Sequence, residues 1–470
     1  MMGEDGALRA GAAEVDITPA QGAMLAGNVA RREPAESVLD PLHAKALVLE
    51  RAGRKLCILA LDVTIIERPY TERIRAAVAE RCGIERDAIM VHATQTHSAP
   101  AIGGFLLDDE FPLPEEFDFL RLRDAEFSEM ATQCAIEAVV RANESLRPAR
   151  IGWNSARLDG IAFNRRGVTR NGRVGMPWTY STLDRPLGQT DYRYVEGPTD
   201  PEVAVAWLQD DRMRTIAFLL HHTCHPVNVF YWRGRGHHGE VSADWPGAWA
   251  TELAAVYGGD AVGLVMNGCC GNINPWPVFT PDFVPDHRRM GRALAAISCE
   301  ALARTAFHGH AALDWRRRDI PLAIREPDPS ALAAAKARIA AHPLPEITDR
   351  GLVDMSWYYA AMLVSLDMLR RRTPEEPYEV QAFRIGDMAL VGLPGEPFVE
   401  GQLKIKIESP AYPTFVAHAT SHYAGYIPTR EAFSRGGHEV DTSWWSRHEP
   451  GALDAIVETA IGMLTEMFPA

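Results

Sequence analysis

The chain has 470 residues, 47% of them hydrophobic and 23% charged, with a formal net charge of −14. These are globular proportions that allow two domains or one large α/β unit, and no run of about 18 apolar residues offers a membrane span. The acid excess argues against nucleic acid as a partner, since the short basic runs Arg316-Arg317-Arg318 and Arg370-Arg371-Arg372 sit beside acidic residues and read as solvated element ends.

The start, Met1 to Gly6, is acidic and lacks the basic and apolar regions of a signal peptide, and the cysteines number seven, an odd count. Both features lead to the expectation of a cytoplasmic protein without a disulfide framework. Glu14 to Pro19 reads as a short strand ending in a turn, with Gly22 and Gly27 bracketing a loop through Asn28. Apolar runs over 44–49 and 56–61 predict a hairpin whose second strand delivers Asp62 to its end. Helical periodicity over 69–82 and a strand from Ile89 complete a β-α-β arrangement. That strand leads into V-H-A-T-Q-T-H-S-A-P, Val91 to Pro100. Read as extended, it places Gln95 and His97 on one face and His92 on the other. A histidine at the carboxyl end of a strand suits a metal ligand or a general base, and equally an ordinary hydrogen-bonded role.

Residues 104–121, rich in Asp, Glu, Phe and Pro, predict a surface excursion beside His97, followed by a helix over 124–145. Residues 160–200 predict a long ordered loop containing Asn164-Arg165-Arg166. A second hairpin, 202–209 with 215–221, ends in H-H-T-C-H-P-V-N and a polar loop carrying His237, His238 and Glu240. A helix from Ser242 to about Val256, a strand over 261–266 and an abrupt turn, N-G-C-C-G-N-I-N-P, come next. Helices are expected over 286–307, 329–341 and 352–371, with a helical insertion at about 325–375. Strands over 380–384 and 388–393 then deliver Pro394-Gly395-Glu396-Pro397. S-H-Y-A-G-Y-I-P-T, residues 421–429, precedes a closing helix over 451–467.

Apolar strands thus end repeatedly in small polar clusters, at Asp62, His97, His225, Asn267 to Asn274, Glu396 and Tyr426. Strand ends converge on one rim in α/β folds, and two histidines, a carboxylate and a phenol could bind zinc and leave room for water. No compact HExxH motif is present. Structural roles stand beside these: His225 could cap its strand, His221 and His222 finish a buried one, and Cys269-Cys270 pack beside a tight turn. Tyr426 could be core, with Tyr423 the competing phenol, and Arg165 could orient a carboxylate or simply pair with an acid.

The pieces VDITP, T-x-T-H-S-x-P at Thr94 to Pro100, Asn164-Arg165, H-P-V at 225–227, G-N-I-N-P at 271–275, P-G-E at 394–396 and Y-I-P-T at 426–429 occur in order. Together they resemble the neutral/alkaline ceramidase superfamily of zinc-dependent amidases, from Val15 to about Glu439. The resemblance implies one ceramidase-like catalytic domain over 1–470, an α/β fold of mixed β-sheets with flanking helices. It also implies zinc held by two histidines, a glutamate and a tyrosine, and His225, Glu396 and Tyr426 match three of these by position. Gln95 stands where the family has its earlier T-H-T-H-S histidine, so His97 moves onto the metal, the metal differs, or binding is weak. Asn274 replaces the serine of the family's G-D-V-S-P, and no counterpart of the family's secretion signal or C-terminal β-sandwich domain is expected. Ceramide is therefore not the expected substrate. His438, in G-G-H-E-V, falls where the family has a tyrosine near the substrate and is a candidate proton donor.

The leading expectation is a metal-dependent hydrolase, with zinc as the metal, cleaving an amide in a small or medium polar substrate. His97 or His438 would move protons, Asn274 would bind the oxyanion or a hydroxyl, and Arg165 would orient the substrate. Gln95, Asn164, Asn272 and Tyr423 are candidate substrate contacts, and the metal set is His97, His225, Glu396 and Tyr426. The rivals are a metal-dependent lyase, isomerase or lactonase acting on a sugar-like acid, and a binding protein without turnover. The partner is a small molecule, and a homo-oligomer is left open.

Overall fold

The structure, a computed structural model, describes residues 6–28, 34–175, 192–230, 239–280, 283–347 and 353–469. The expected hairpin forms from His43–Arg51 and Arg54–Leu61, antiparallel from Ala44↔Leu61 to Arg51↔Arg54. Its second strand is buried on both faces from Leu56 onward, as a run of Leu, Ile, Cys and Ala allows. Arg68–Cys82 is a helix with proline in its first turn and Gly83 closing it at φ 64°, a left-handed cap that glycine adopts without strain. The chain returns as Ile89–Ala93, parallel to Arg54–Leu61.

These strands and Arg9–Asp16 make one half of a large mixed sheet. The other half runs Arg147–Arg157, Glu202–Asp210, Thr215–His222 and Val262–Asn267, the last pair parallel. The halves join only where Arg9 and Ala10 meet Pro148 and Arg147. The sheet then doubles back, so that Val262–Asn267 contacts His43–Arg51 and Arg54–Leu61 and both halves feed one apolar core. A smaller sheet orders Leu313–Ala323, Glu375–Ile385, Met388–Gly392 and Thr414–Ala417. Helices Pro329–Ala341 and Met355–Arg372 lie between its first two strands, which pair directly from Leu313↔Ile385 to Ala323↔Glu375.

Three local expectations change. The strand carrying His92 ends at Ala93, and Gln95 adopts φ 68°, so Gln95 and His97 are not set by strand alternation. The helix expected over 286–307 spans His287–Leu302, because Phe307–His308 pairs with Arg147–Arg157 instead. The stretch 160–200 holds short strands at Phe163–Asn164, Gly167–Thr169, Val174–Gly175 and Tyr192–Val195, with 176–191 outside the described residues.

Candidate functional site

Two brief strand pairings assemble the site. Glu396–Pro397 runs parallel to Tyr426–Ile427 with Glu396 and Tyr426 as register partners. Gly395 makes this possible: its φ is 68°, and a Cβ there would meet the Gly425 carbonyl oxygen at 2.4 Å. Ile273–Asn274 pairs antiparallel with Phe163–Asn164, which sets Arg165 beside Asn274. His225 is anchored to the same turn, its backbone N–H donating to the Ile273 carbonyl at 3.1 Å.

The buried His225 ring places Nδ1 at 3.1 Å from the Ile273 carbonyl oxygen and Nε2 at 3.0 Å from Glu396 Oε2. A carbonyl oxygen only accepts, so Nδ1 carries the hydrogen, and in the neutral ring Nε2 turns a lone pair toward a carboxylate that also only accepts. Two acceptors facing each other at that distance require a proton or a cation between them. The other Glu396 oxygen accepts from the Tyr423 hydroxyl at 3.0 Å. Burial pushes the Glu396 carboxyl up, but the hydrogen bond from His225 and the charges of His225, Arg165 and His97 hold it below the usual range.

Arg165 is the hub behind this pair. Its Nε donates to Glu439 Oε1 at 2.7 Å, Nη1 to Asn274 Oδ1 at 3.2 Å and Nη2 to the Tyr426 hydroxyl at 3.1 Å. The second Glu439 oxygen accepts from Arg166 at 2.7 Å, and Arg166 also bonds Glu196. Although burial opposes it, the two guanidinium groups hold the Glu439 carboxyl down at about 2. The Tyr426 phenol is driven well above its ordinary value by burial and by Glu396, with Arg165 acting against them.

Gln95, His97, Glu396, Tyr423, Tyr426 and His438 line one pocket together with Thr64, Ile65, Phe105, Leu106 and Trp445. Gln95 Oε1 accepts from the Cys270 thiol at 3.7 Å. The His97 ring stands edge-on to His225 with centroids 5.5 Å apart. The His438 ring lies tilted against Trp445 with centroids 4.9 Å apart and edge-on to Tyr426 at 5.5 Å, and desolvation lowers its pKa to about 4. A neutral ring has one N–H to give, so His438 does not begin as the imidazolium that the proton-donor expectation implied.

Asn164 and Asn272 lie outside the pocket lining. Asn164 accepts from the Arg166 backbone N–H and donates to the Pro198 carbonyl, while Asn272 accepts from the Val399 N–H and donates to Glu400. Their amides fix loops rather than a ligand. Asp62 is buried against Lys45 at 2.9 Å, away from the pocket, and His221 and His222 close a buried strand. Cys269 and Cys270 are buried, their thiols pushed up by desolvation. His237 and His238 lie outside the described residues. The residue that sequence reasoning passed over is Glu439. Its signal was an acid directly following Gly436-Gly437-His438, where only a buried cation partner explains a carboxylate beside an apolar Val440.

Among the described residues no three His, Cys, Asp or Glu side chains converge as a metal cluster. If the chain holds a cation, His225 Nε2 and Glu396 Oε2, 3.0 Å apart, would be its ligands among the described residues, with the Tyr426 phenol supplied by the strand next to Glu396. Imidazole, carboxylate and phenol are a donor chemistry that suits a zinc-like divalent ion.

No family model and no curated protein sequence matches the chain. Solved structures do. It is similar to a structure described as a ceramidase complexed with C2, with a TM-score of 0.70 and 18% identity over 98% of this chain and 75% of that one. It is also similar to the neutral ceramidase from Pseudomonas aeruginosa, with a TM-score of 0.68 and 18% identity over 99% of this chain and 76% of that one. The chain therefore has the mixed α/β fold of the neutral ceramidases, in a divergent sequence.

Proposed function

We propose that this chain is a metal-dependent hydrolase that cleaves an amide bond in a small or medium polar substrate. The observation that carries the reading is the His225–Glu396 pair, an imidazole nitrogen 3.0 Å from a carboxylate oxygen beside a pocket in a neutral-ceramidase fold. His225, Glu396 and Tyr426 would hold the cation, with His97 beside them. The chemistry such an ion, zinc by its donor set, would supply is a water of lowered pKa and a Lewis acid for a carbonyl.

The chain's own groups do the rest. Ile273 aims the His225 ring, and Tyr423 fixes the rotation of Glu396 through its hydroxyl. Arg165 keeps Tyr426 and Asn274 in place. With Gln95 Oε1 turned to the Cys270 thiol, its amide N–H groups are left to donate to a substrate carbonyl. The neutral His438 ring can take the proton that the departing amine or the attacking water exchanges. The reading as a lyase, isomerase or lactonase for a sugar-like acid needs Arg165 to receive a carboxylate. Arg165 does not line the pocket, and its Nε, Nη1 and Nη2 already donate to Glu439, Asn274 and Tyr426, which favours the amide reading.

The test is elemental mass spectrometry on untagged protein, with Glu396→Ala and His225→Ala alongside the wild type, coupled to amine release from an amide panel. The expected result is near-stoichiometric divalent metal in the wild type and little in either variant. Wild-type protein that carries no metal and takes up none overturns the reading.

A further inference from the structure

Tyr423 also lines a second, larger cleft of about 360 Å³, shared among the start of helix Arg68–Cys82, the 104–109 segment and residues 369–377 with Trp444 and Arg447. One water needs about 10–15 Å³ on that scale, so an organic molecule can enter. Apart from Tyr423, none of the cleft's lining belongs to the pocket of Glu396.

Among the described residues four carboxyl groups line this cleft, and three of them have a guanidinium partner. Asp108 meets Arg372 at 2.7 Å, Glu376 meets Arg447 at 2.7 Å, and Asp109 pairs with Arg123. Glu67 is the exception, since among the described residues its carboxyl has neither a hydrogen bond nor an ion pair. It stands at the N-cap of the helix, yet it accepts from none of the first-turn N–H groups that an acid there ordinarily caps. The adjacent Arg68 turns away to the Pro377 carbonyl at 2.7 Å and lies 3.7 Å from Asp319. The Glu67 arm lies against Gly103, whose φ is 97° and where a Cβ would meet its Cγ at 2.6 Å, so glycine is what gives the arm this course. Desolvation pushes the Glu67 carboxyl up to about 8, against the pull of Arg447 and Arg123 and with the help of Glu376 and Asp109.

A carboxylate only accepts, so its complement is a cation that donates. The guanidinium groups of the cleft are already paired, which leaves an anion little to bind. One free carboxylate is also too few ligands for calcium or magnesium, which take about six or more oxygens. We propose that this cleft is a second ligand site, which takes a small organic molecule through its primary ammonium group, with Glu67 as the acceptor and Leu107, Leu369 and Trp444 against the carbon stem. Such a site is independent of the metal and of amide hydrolysis.

The experiment is calorimetry on full-length protein at about pH 8, where an alkylammonium ion keeps its charge. The probe is n-pentylammonium, with 1-pentanol and pentanoate as its neutral and anionic counterparts. The wild type and Glu396→Ala are expected to bind the ammonium equally, which separates this cleft from the neighbouring pocket. Glu67→Gln keeps the shape and removes the charge, and it should weaken binding about tenfold or more, with Glu67→Asp between the two. Its melting temperature should not fall, because the carboxyl it replaces has no partner to lose. If Glu67→Gln does not fold, Glu396→Ala decides alone: preference for the ammonium over pentanol and pentanoate supports the site, and equal binding of pentanol overturns it. Failure of the wild type to bind pentylammonium overturns it too, as do undiminished binding by Glu67→Gln and loss of binding in Glu396→Ala.

Discussion

The Arg165 network and the His225–Glu396 pair lie within one buried region and bury charge in opposite ways. Around Arg165 and Arg166 each guanidinium meets a carboxylate, and Glu439 is shared between them with 2.7 Å contacts on both oxygens. At His225 the ring Nε2 faces, at 3.0 Å, a carboxylate whose second oxygen is capped by Tyr423. The first arrangement is complete and holds still. The second leaves one position between imidazole and carboxylate, filled by a proton or, on the proposed reading, by a metal ion.

Perturbations that target one region and spare the other sharpen this contrast. The largest effect is expected from Glu396→Ala, which removes an acceptor from the open pair: metal content by elemental analysis and amide turnover should both fall to background, with the far-ultraviolet circular dichroism unchanged. Glu439→Gln acts on the closed network and leaves the buried Arg165 without a carboxylate partner, while Arg166 keeps Glu196. It should cost about 3–5 kcal/mol in urea unfolding. The same residue gives a pH signature. Its folded pKa of about 2 lies below the ordinary 4.5, so the stability it contributes is full above about 4.5 and is lost as pH falls toward 2. The wild type should therefore lose a share of its unfolding free energy across that window that Glu439→Gln no longer loses. Tyr423→Phe removes only the hydrogen bond that orients Glu396. A drop in metal affinity of about 10–100-fold by calorimetry is expected, with little change in melting temperature. The smallest effect belongs to the surface. Arg318 meets Glu466 at 2.7 Å with both side chains about half exposed, and Arg318→Ala should change unfolding free energy by less than about 1 kcal/mol. A large effect there would mean that burial is not what separates the two regions.

Much of the scaffold was legible because the residues obey one local rule at a time. The runs 44–49 and 56–61 are apolar enough to be strands in any context, and Pro69 and Gly83 bracket a helix by their own backbone preferences. His225, Glu396 and Tyr426 stood out as polar residues at strand ends, and it was the resemblance to the ceramidases that matched them to metal ligands. What stayed hidden depends on distant parts of the chain. Gln95 leaves the extended conformation because its N–H donates to the Val63 carbonyl at 3.1 Å, a contact that alternation along the strand does not encode. Glu439 has a role only once Arg165 and Arg166 arrive from more than 270 residues away. Asn164 and Asn272 looked like ligand contacts since both stand beside site residues, but the loops claimed their amides first. Phe105 and Leu106 of the pocket lining share a buried cluster with Trp357 and Tyr358, on a helix that sequence reading had set apart as an insertion.

That insertion has a further meaning. Because Ala323 and Glu375 are cross-strand partners, the chain leaves the small sheet and re-enters it at the same place. A tight turn could join these two strands without altering the register of any pair in the sheet. The two helices are thus separable from the strands that carry Glu396 and Tyr426. Replacing them with a short turn would leave those strands paired as they are and remove Trp357 and Tyr358 from the cluster that also holds Phe105 and Leu106.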